Sequence, residues 1–121
     1  MNWTPIPEVE LWDLINNAWE RMTFEQRKYW EVIKIDPSKW QEPQYGKQGG
    51  GFWVVAVFGN FVLWYNDIED GFNLSMYQTY GTIDDYWCNQ DRLEVAVQNV
   101  INLFKDGYDS SGKTGGPQSI A

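Results

Sequence analysis

Carboxylate side chains are the main chemical resource of this sequence. Six of them occur between residues 66 and 91 with no Lys or Arg among them: Asp67, Glu69, Asp70, Asp84, Asp85 and Asp91. Paired carboxylates can act as acid and base in glycoside hydrolysis, and Trp and Tyr rings can stack on sugars. One hypothesis is therefore a carbohydrate-active or sugar-binding protein that pairs the doublets 69–70 and 84–85. On a strand, however, the two members of each doublet would point to opposite faces.

The amino-acid composition excludes most other catalytic arrangements. The chain has no histidine and a single cysteine, Cys88. Without an imidazole there is no Ser-His-Asp or Cys-His pair and no common histidine metal site. Cys88 lies near three aspartates in the sequence, and neighbouring negative charge disfavours a thiolate, so we expect a buried, unreactive thiol. These features favour a non-enzymatic protein without a cofactor.

The acidic and glycine-rich stretches do not match known loops for metals or phosphates. An EF-hand needs acids at its first, third and fifth positions, Gly at the sixth and Glu at the twelfth. Counted from Asp67, Gly71 is the fifth position and Gln78 is the twelfth. The glycines at 49–51 lack the Lys and hydroxyl residue of a Walker loop, and they precede a predicted strand instead of opening a helix. We therefore expect no metal site.

The net charge of −8 is concentrated in the second half of the chain. Residues 1–51 carry eight acids and six bases, a net −2, whereas residues 52–109 carry nine acids and two bases, a net −7. A base-free acidic run repels nucleic acid and anionic membranes and attracts a basic protein. Residues 66–91, the acidic segment, are thus the predicted binding surface. Its candidate residues are Asn66, Asp67, Glu69, Asp70, Tyr80, Asp84, Asp85, Tyr86, Trp87 and Asp91.

These acids are positioned by an apolar centre at residues 52–77. Gly59-Asn60 separates two runs rich in β-branched and aromatic residues, which predicts a two-residue type II′ hairpin. The predicted cross-strand pairs are Phe58 with Phe61, Val57 with Val62, Ala56 with Leu63, Val55 with Trp64 and Val54 with Tyr65. Both faces of this hairpin are apolar, so each must be covered, either by this chain or by a partner. A homodimer that associates through the hairpin is therefore a second hypothesis.

Turn and helix signals complete the predicted fold. Asp70-Gly71 predicts a type I′ turn. Pro7 predicts the start of a helix that ends near Met22, and a capping box of Thr23 and Gln26 predicts a second helix over 24–35, with one further turn through residue 40. A helical stripe over 93–104, capped by Asn89, predicts the C-terminal helix.

Together these elements predict an α+β domain in the order ααβββ(β)α. The sheet is a three- to four-stranded antiparallel β-meander with strands at 52–58, 61–69 and 72–77 and an optional fourth at 82–87. Two N-terminal helices and one C-terminal helix pack on it. We expect a single domain over 1–107, a flexible Gly-rich loop over 41–51 and a disordered tail over 108–121.

The functional expectation is a small acidic, non-enzymatic protein-binding domain that acts on a basic protein. Inhibitors and the toxin-neutralising immunity proteins of bacteria are of comparable size and charge. The sequence begins with no signal peptide, contains no run long enough to span a bilayer and has no cysteine pair, so we expect a cytoplasmic protein.

Overall fold

A computed structural model describes residues 3–106 of the 121-residue chain. The elements in chain order are α1 (Glu8–Arg21), α2 (Phe24–Ile33), β1 (Lys34–Trp40), β2 (Phe52–Phe58), β3 (Phe61–Asn66), β4 (Gly71–Met76) and α3 (Leu93–Asp106), with one short 3-10 turn at Lys47–Gly49. The strands form one antiparallel sheet in the order β1-β2-β3-β4. The predicted α+β fold, with two N-terminal helices, a four-stranded antiparallel sheet and a C-terminal helix, is confirmed.

The fourth strand does not lie where the sequence placed it. Residues 34–40, predicted as helix, form edge strand β1, so α2 ends at Ile33 and not at Ile35. Pro37 is compatible with an edge strand because that strand leaves half of its backbone groups unpaired, and the pairing is irregular around it, between Lys34 and Ser38. Residues 82–87 form no strand, and only Thr82 makes an isolated bridge, to Gln41.

The central hairpin is confirmed close to its turn and differs farther from it. Gly59 has a φ of 54°, as a type II′ turn requires, and the three predicted pairs nearest the turn are present. A β-bulge between Val54 and Ala56 then shifts the register, so Val54 pairs with Trp64 and not with Tyr65. The predicted pairs of Val54 and Val55 are therefore wrong. Val55 and Ala56 both pack in the core beneath the helices.

Each face of the sheet buries its own apolar core. The three helices cover one face, where Leu11, Ile15, Trp30, Leu63, Leu74, Val97 and Ile101 are among the buried residues. The other face is covered by Trp3 and by residues 77–91, which we call the covering segment; it buries Trp40, Phe52, Val54, Val62, Trp64 and Ile83. Because a fully buried side chain of this size contributes about 1.5 to 3 kcal/mol, both layers matter for stability. The chain itself thus covers the two hairpin faces on which the homodimer hypothesis depends.

The helix starts follow local signals with one exception. The capping box of α2 is present: the Thr23 hydroxyl accepts from the Gln26 amide at 3.1 Å, and the Gln26 side chain accepts from the Thr23 amide at 2.9 Å. The start of α3 differs, because the Arg92 carbonyl accepts the first helical amides and Asn89 is not the cap.

The domain boundaries remain a prediction, and the predicted tail at 108–121 lies outside the described residues. The flexibility predicted for residues 41–51 also remains untested. In this loop the buried Glu42 carboxylate accepts from the backbone amides of Tyr45 and Gly46. Its side chain therefore caps a turn within the loop.

Candidate functional site

The loop between β3 and β4 presents three of the predicted acids. Asn66 pairs directly with Gly71, so the connection is a four-residue loop over 67–70 and not the predicted two-residue Asp70-Gly71 turn. Asp70 adopts a left-handed conformation with φ of 57°. A Cβ added to Gly71 would lie 2.3 Å from the Asn89 carbonyl oxygen, so only glycine fits at that position. The fold thereby fixes the loop at the end of the sheet.

Asn66, Tyr86 and Trp87 hold the covering segment on the sheet. The Asn66 side chain is fully buried, and its amide nitrogen donates to the Tyr86 hydroxyl and the Trp87 carbonyl, both at 2.9 Å. Its oxygen accepts from the amides of Ile68 and Glu69. Burial raises the pKa of the Tyr86 hydroxyl. These predicted binding residues therefore make structural contacts within the chain.

Asp67 fastens the N-terminal segment. Its Oδ2 accepts from the Ile6 amide at 2.8 Å, and the Trp53 indole donates to the Ile6 carbonyl at 3.0 Å, so Ile6 is held on both sides. Burial raises the pKa of Asp67, although the Ile6 hydrogen bond and the nearby Lys39 charge oppose this shift. Lys39 itself donates to the Gly49 carbonyl at 3.1 Å. Asp67 is thus only partly available to a partner.

Tyr65 lies where acids from two distant parts of the chain converge. Its hydroxyl lies 3.4 Å from Asp70 Oδ1, and burial together with the charges of Asp70, Asp67 and Glu10 raises the pKa of Tyr65 to about 12. Glu69 lies on the other side of the loop, where its charge contributes to the raised pKa of Tyr86. We call Glu10, Asp67, Glu69 and Asp70 the acidic end.

Glu10 is a residue that sequence reasoning missed as part of this surface. By itself, its position in the first turn of α1 indicates only a favourable interaction with the helix dipole. No local pattern links it to a loop some sixty residues later. Only the packing of α1 against the sheet brings it to the acidic end.

Basic residues lie closer to the acidic segment in space than in sequence. Asp91, Asp70, Arg21 and Arg92 line a small cavity of about 70 Å³. Arg21 pairs with Glu94 at 2.6 Å, and Arg92 lies 3.5 Å from the same carboxylate. Burial acts to raise the pKa of Glu94, but the Arg21 hydrogen bond and the two guanidinium charges outweigh it and lower the pKa. The acidic segment contains no Lys or Arg in sequence, but Arg21 and Arg92 lie beside it in the folded chain.

Asp84, Asp85 and Tyr80 lie apart from the acidic end. Asp84 accepts from the Gln78 amide at 2.5 Å, and the Asp85 carbonyl accepts from the Ser75 hydroxyl at 2.5 Å. Both carboxylates are exposed, and Tyr80 is 66% exposed beside Trp40. The structure therefore divides the candidate residues between two regions.

This separation bears on the carboxylate-pair hypothesis. Ser75, which holds Asp85, lies four residues along β4 from Gly71. That spacing corresponds to about 13 Å of strand. The carboxyl groups of glycosidase pairs are about 5 to 10 Å apart. This spacing does not favour the carboxylate-pair hypothesis, which stays a prediction.

The remaining predictions concern Cys88, metals and membranes. Cys88 is exposed, so the prediction of a buried thiol is wrong. It belongs to the covering segment but lies on its solvent side and not in the core. In the described part of the chain, no cluster of three or more Cys, Asp or Glu side chains could hold a metal ion.

None of the helices described in residues 3–106 combines the length and apolar character needed to cross a membrane.

Comparison with protein-family models, curated proteins and solved structures finds no match to this chain. Function must therefore be argued from the surface chemistry of the chain itself.

Proposed function

We propose that this protein is a non-enzymatic binding domain that uses its acidic end to hold a basic protein, as an inhibitor or immunity-type protein does. The observation that carries this proposal is the grouping of acids around Tyr65: Asp70 Oδ1 lies 3.4 Å from its hydroxyl, and the charges of Asp67 and Glu10 are near enough to contribute to its raised pKa. Burial is the largest cause of the raised pKa of Tyr65, and the three neighbouring negative charges add to it. A cationic side chain placed there would reduce the repulsion among these acids.

The acidic end suits long-range attraction of a partner. Complementary charges mainly increase the association rate and make it sensitive to salt, since exposed charges are screened beyond about 10 Å at 0.1 M salt. Asp70 is exposed and Glu69 is half-buried, so both carboxylates can reach a partner. Asn66, the Tyr86 hydroxyl and the Trp87 carbonyl, which bond to one another inside the chain, are left out of the proposed contact.

Tyr80, Asp84 and Asp85 provide a second exposed region for the same partner. Tyrosine is enriched in protein interfaces because its ring is large and its hydroxyl can remain solvated. Tyr80 contacts Trp40 with ring centroids 4.6 Å apart and the rings tilted by 58°, and this contact restrains the Tyr80 ring before binding. This arrangement reduces the entropy that an anchor loses on association.

The proposal is tested with an arginine-rich peptide as probe and stopped-flow association as the measurement. A variant with Glu10→Gln, Glu69→Gln and Asp70→Asn changes the formal charge from −8 to −5, since three acids become neutral. Asn tolerates the left-handed conformation of residue 70. We expect association about tenfold slower at low salt and a smaller difference at high salt.

A matched control removes the same charge elsewhere. Glu20, Asp36 and Asp106 are all exposed and lie outside the acidic end, so their neutralisation also gives −5. Equal slowing in both variants would mean that only net charge attracts the peptide, and the assignment to the acidic end would fail.

The same proposal places the protein in the cytoplasm. Cys88 is an exposed thiol with no second cysteine in the chain to pair with, and such thiols persist in reducing compartments.

A further inference from the structure

A second surface, which is mainly apolar where the acidic end is charged, lies between α2 and α3. It is a groove of about 470 Å³ lined by Lys28, Tyr29, Val32, Ile33 and Phe104. Val32 is 83% exposed and Phe104 is 52% exposed, and the ring centroids of Phe58 and Phe104 are 5.3 Å apart with the rings tilted by 50°. The groove is therefore an apolar surface that the described residues leave open.

The exposed face of α2 has a simple arrangement. Phe24, Lys28 and Val32 are spaced by four residues, so they lie on one side of the helix, while Trp30 and Ile33 face the core. Phe24 is 79% exposed. Full burial of a Val or Phe side chain contributes about 1.5 to 3 kcal/mol, so covering this face would be favourable.

Lys28 is the cation at the centre of this face. Glu25 pairs with Lys105 at 3.0 Å, and Glu31 pairs with Lys34 at 2.7 Å. Lys28 takes part in none of the ion pairs within residues 3–106; its ammonium lies 5.5 Å from the centre of the Phe24 ring. In a chain of net charge −8, this face thus combines apolar residues with an uncompensated positive charge.

We infer that this groove binds an amphipathic helix of a partner protein in which an Asp or Glu lies between apolar residues one turn away on either side. Such a helix places its apolar residues against Val32, Phe104 and Phe24 and its carboxylate against Lys28, in the helix-in-groove mode. A second copy related by a two-fold axis through the centre of this face would place Lys28 against its own symmetry mate. Like charges at the centre of an interface are unfavourable, so a second copy is not the occupant.

This inference does not rest on the proposed function. The groove is built by α2 and α3, whereas the acidic end is built by α1 and the loop over 67–70. The two surfaces call for partners of opposite charge. Variants in one surface should leave binding at the other unchanged, so the two proposals can fail separately.

The test uses two labelled helical peptides that differ at one position, a Glu or a Lys between leucines one turn away on each side. Fluorescence anisotropy measures their affinities for the full chain and for Lys28→Glu. We expect the Glu peptide to bind the native protein at least fivefold more tightly than the Lys peptide, and Lys28→Glu to reverse this preference. Val32→Ser and Phe104→Ser should each weaken the Glu peptide about fivefold or more.

Val9→Ser is the matched control, because Val9 is 69% exposed on α1, away from the groove; it should leave the affinity unchanged. Circular dichroism establishes that each variant is folded before binding is compared. Equal affinity of the two peptides for the native protein, or no binding up to millimolar concentration, would overturn the inference. So would a dimer that Val32→Ser dissociates, since a second copy would then cover the groove.

Discussion

At the scale of single residues, buried polar side chains of β4 have structural roles within the chain, although residues of their types are more often exposed. Ser75 accepts from the Trp64 indole at 2.8 Å and donates to the Asp85 carbonyl, so one hydroxyl joins the core to the covering segment. Asn73 similarly accepts from the Asn89 amide at 2.8 Å. Buried polar groups require such partners because an unsatisfied group costs about 1 to 3 kcal/mol.

Tyr65 gives a prediction for alkaline pH. Its pKa is raised from 10.0 to about 12 in the folded protein, so folding favours the neutral phenol. This contribution to stability is fully present below the ordinary pKa and is lost as the pH rises from about 10 to about 12. We therefore expect Tyr65→Phe, which cannot ionise, to lose less stability over that range than the native protein. Urea unfolding on both sides of the range measures the difference.

Tyr80→Phe is the control for this experiment, because Tyr80 is largely exposed and contacts Trp40 outside the acidic end. It should keep the pH dependence of the native protein. If Tyr65→Phe showed that same pH dependence, the pKa of Tyr65 would not be raised by folding.

At the scale of elements, the apolar face opposite the helices is covered by irregular chain and not by a regular layer. Trp3 stacks on Phe52 with ring centroids 5.4 Å apart, and Tyr86 lies 5.8 Å from Trp64. The backbone of these covering residues is attached to the sheet by side-chain hydrogen bonds. Individual side chains should therefore control the local opening of whole segments.

Asp67→Ala tests this control at the N-terminal segment. Removal of the carboxylate leaves the Ile6 amide without its acceptor, and a hydrogen bond contributes about 0.5 to 1.5 kcal/mol net. We expect hydrogen exchange at the Ile6 amide to become about 2- to 10-fold faster, as measured by NMR.

Asp84→Ala is the reciprocal control, because Asp84 accepts from the Gln78 amide instead. It should accelerate exchange at Gln78 and leave Ile6 unchanged. Unaltered exchange at Ile6 in Asp67→Ala would contradict the clamping role of Asp67.

At the scale of the whole molecule, the acidic end and the open apolar groove lie in different parts of the fold. The acidic end lies at the β3–β4 loop, whereas three of the eight basic residues described lie at the groove between α2 and α3: Lys28 lines it, and Lys34 and Lys105 follow the lining residues Ile33 and Phe104 in sequence. Within residues 3–106, the chain itself buries most of both hairpin faces, and the half-buried Phe58 and Phe61 at the turn are part of what is left for a homodimer of the kind the sequence suggested.

We therefore expect the protein to be a monomer. Light scattering coupled to size-exclusion chromatography at micromolar concentration should give the mass of one chain, 14.2 kDa. A stable dimer that is lost when Phe58 or Phe61, the half-buried residues at the hairpin turn, is changed to Ser would contradict this expectation.

The sequence by itself determined the features that depend on near neighbours. The Thr23–Gln26 capping box, the Gly59 turn with its three adjacent pairs, and the buried stripes of α1 and α3 are encoded within one or two turns of chain. The sequence also predicted a chain reversal at Asp70-Gly71, although the connection is the four-residue loop 67–70 and includes Glu69, which was predicted in a strand. Short-range hydrogen bonding and residue spacing are sufficient for these features.

Only the tertiary structure decided features that join distant residues. Residues 34–40 form the fourth strand, and 82–87 do not, because the backbone of 34–40 is the one that meets the edge of β2. The bulge at Val55 depends on packing under the helices. The internal roles of Asn66 and Tyr86 follow from how the covering segment crosses the sheet. Glu10 reaches Tyr65 only through the docking of α1, because electrostatic interactions depend on distance in space and not along the chain.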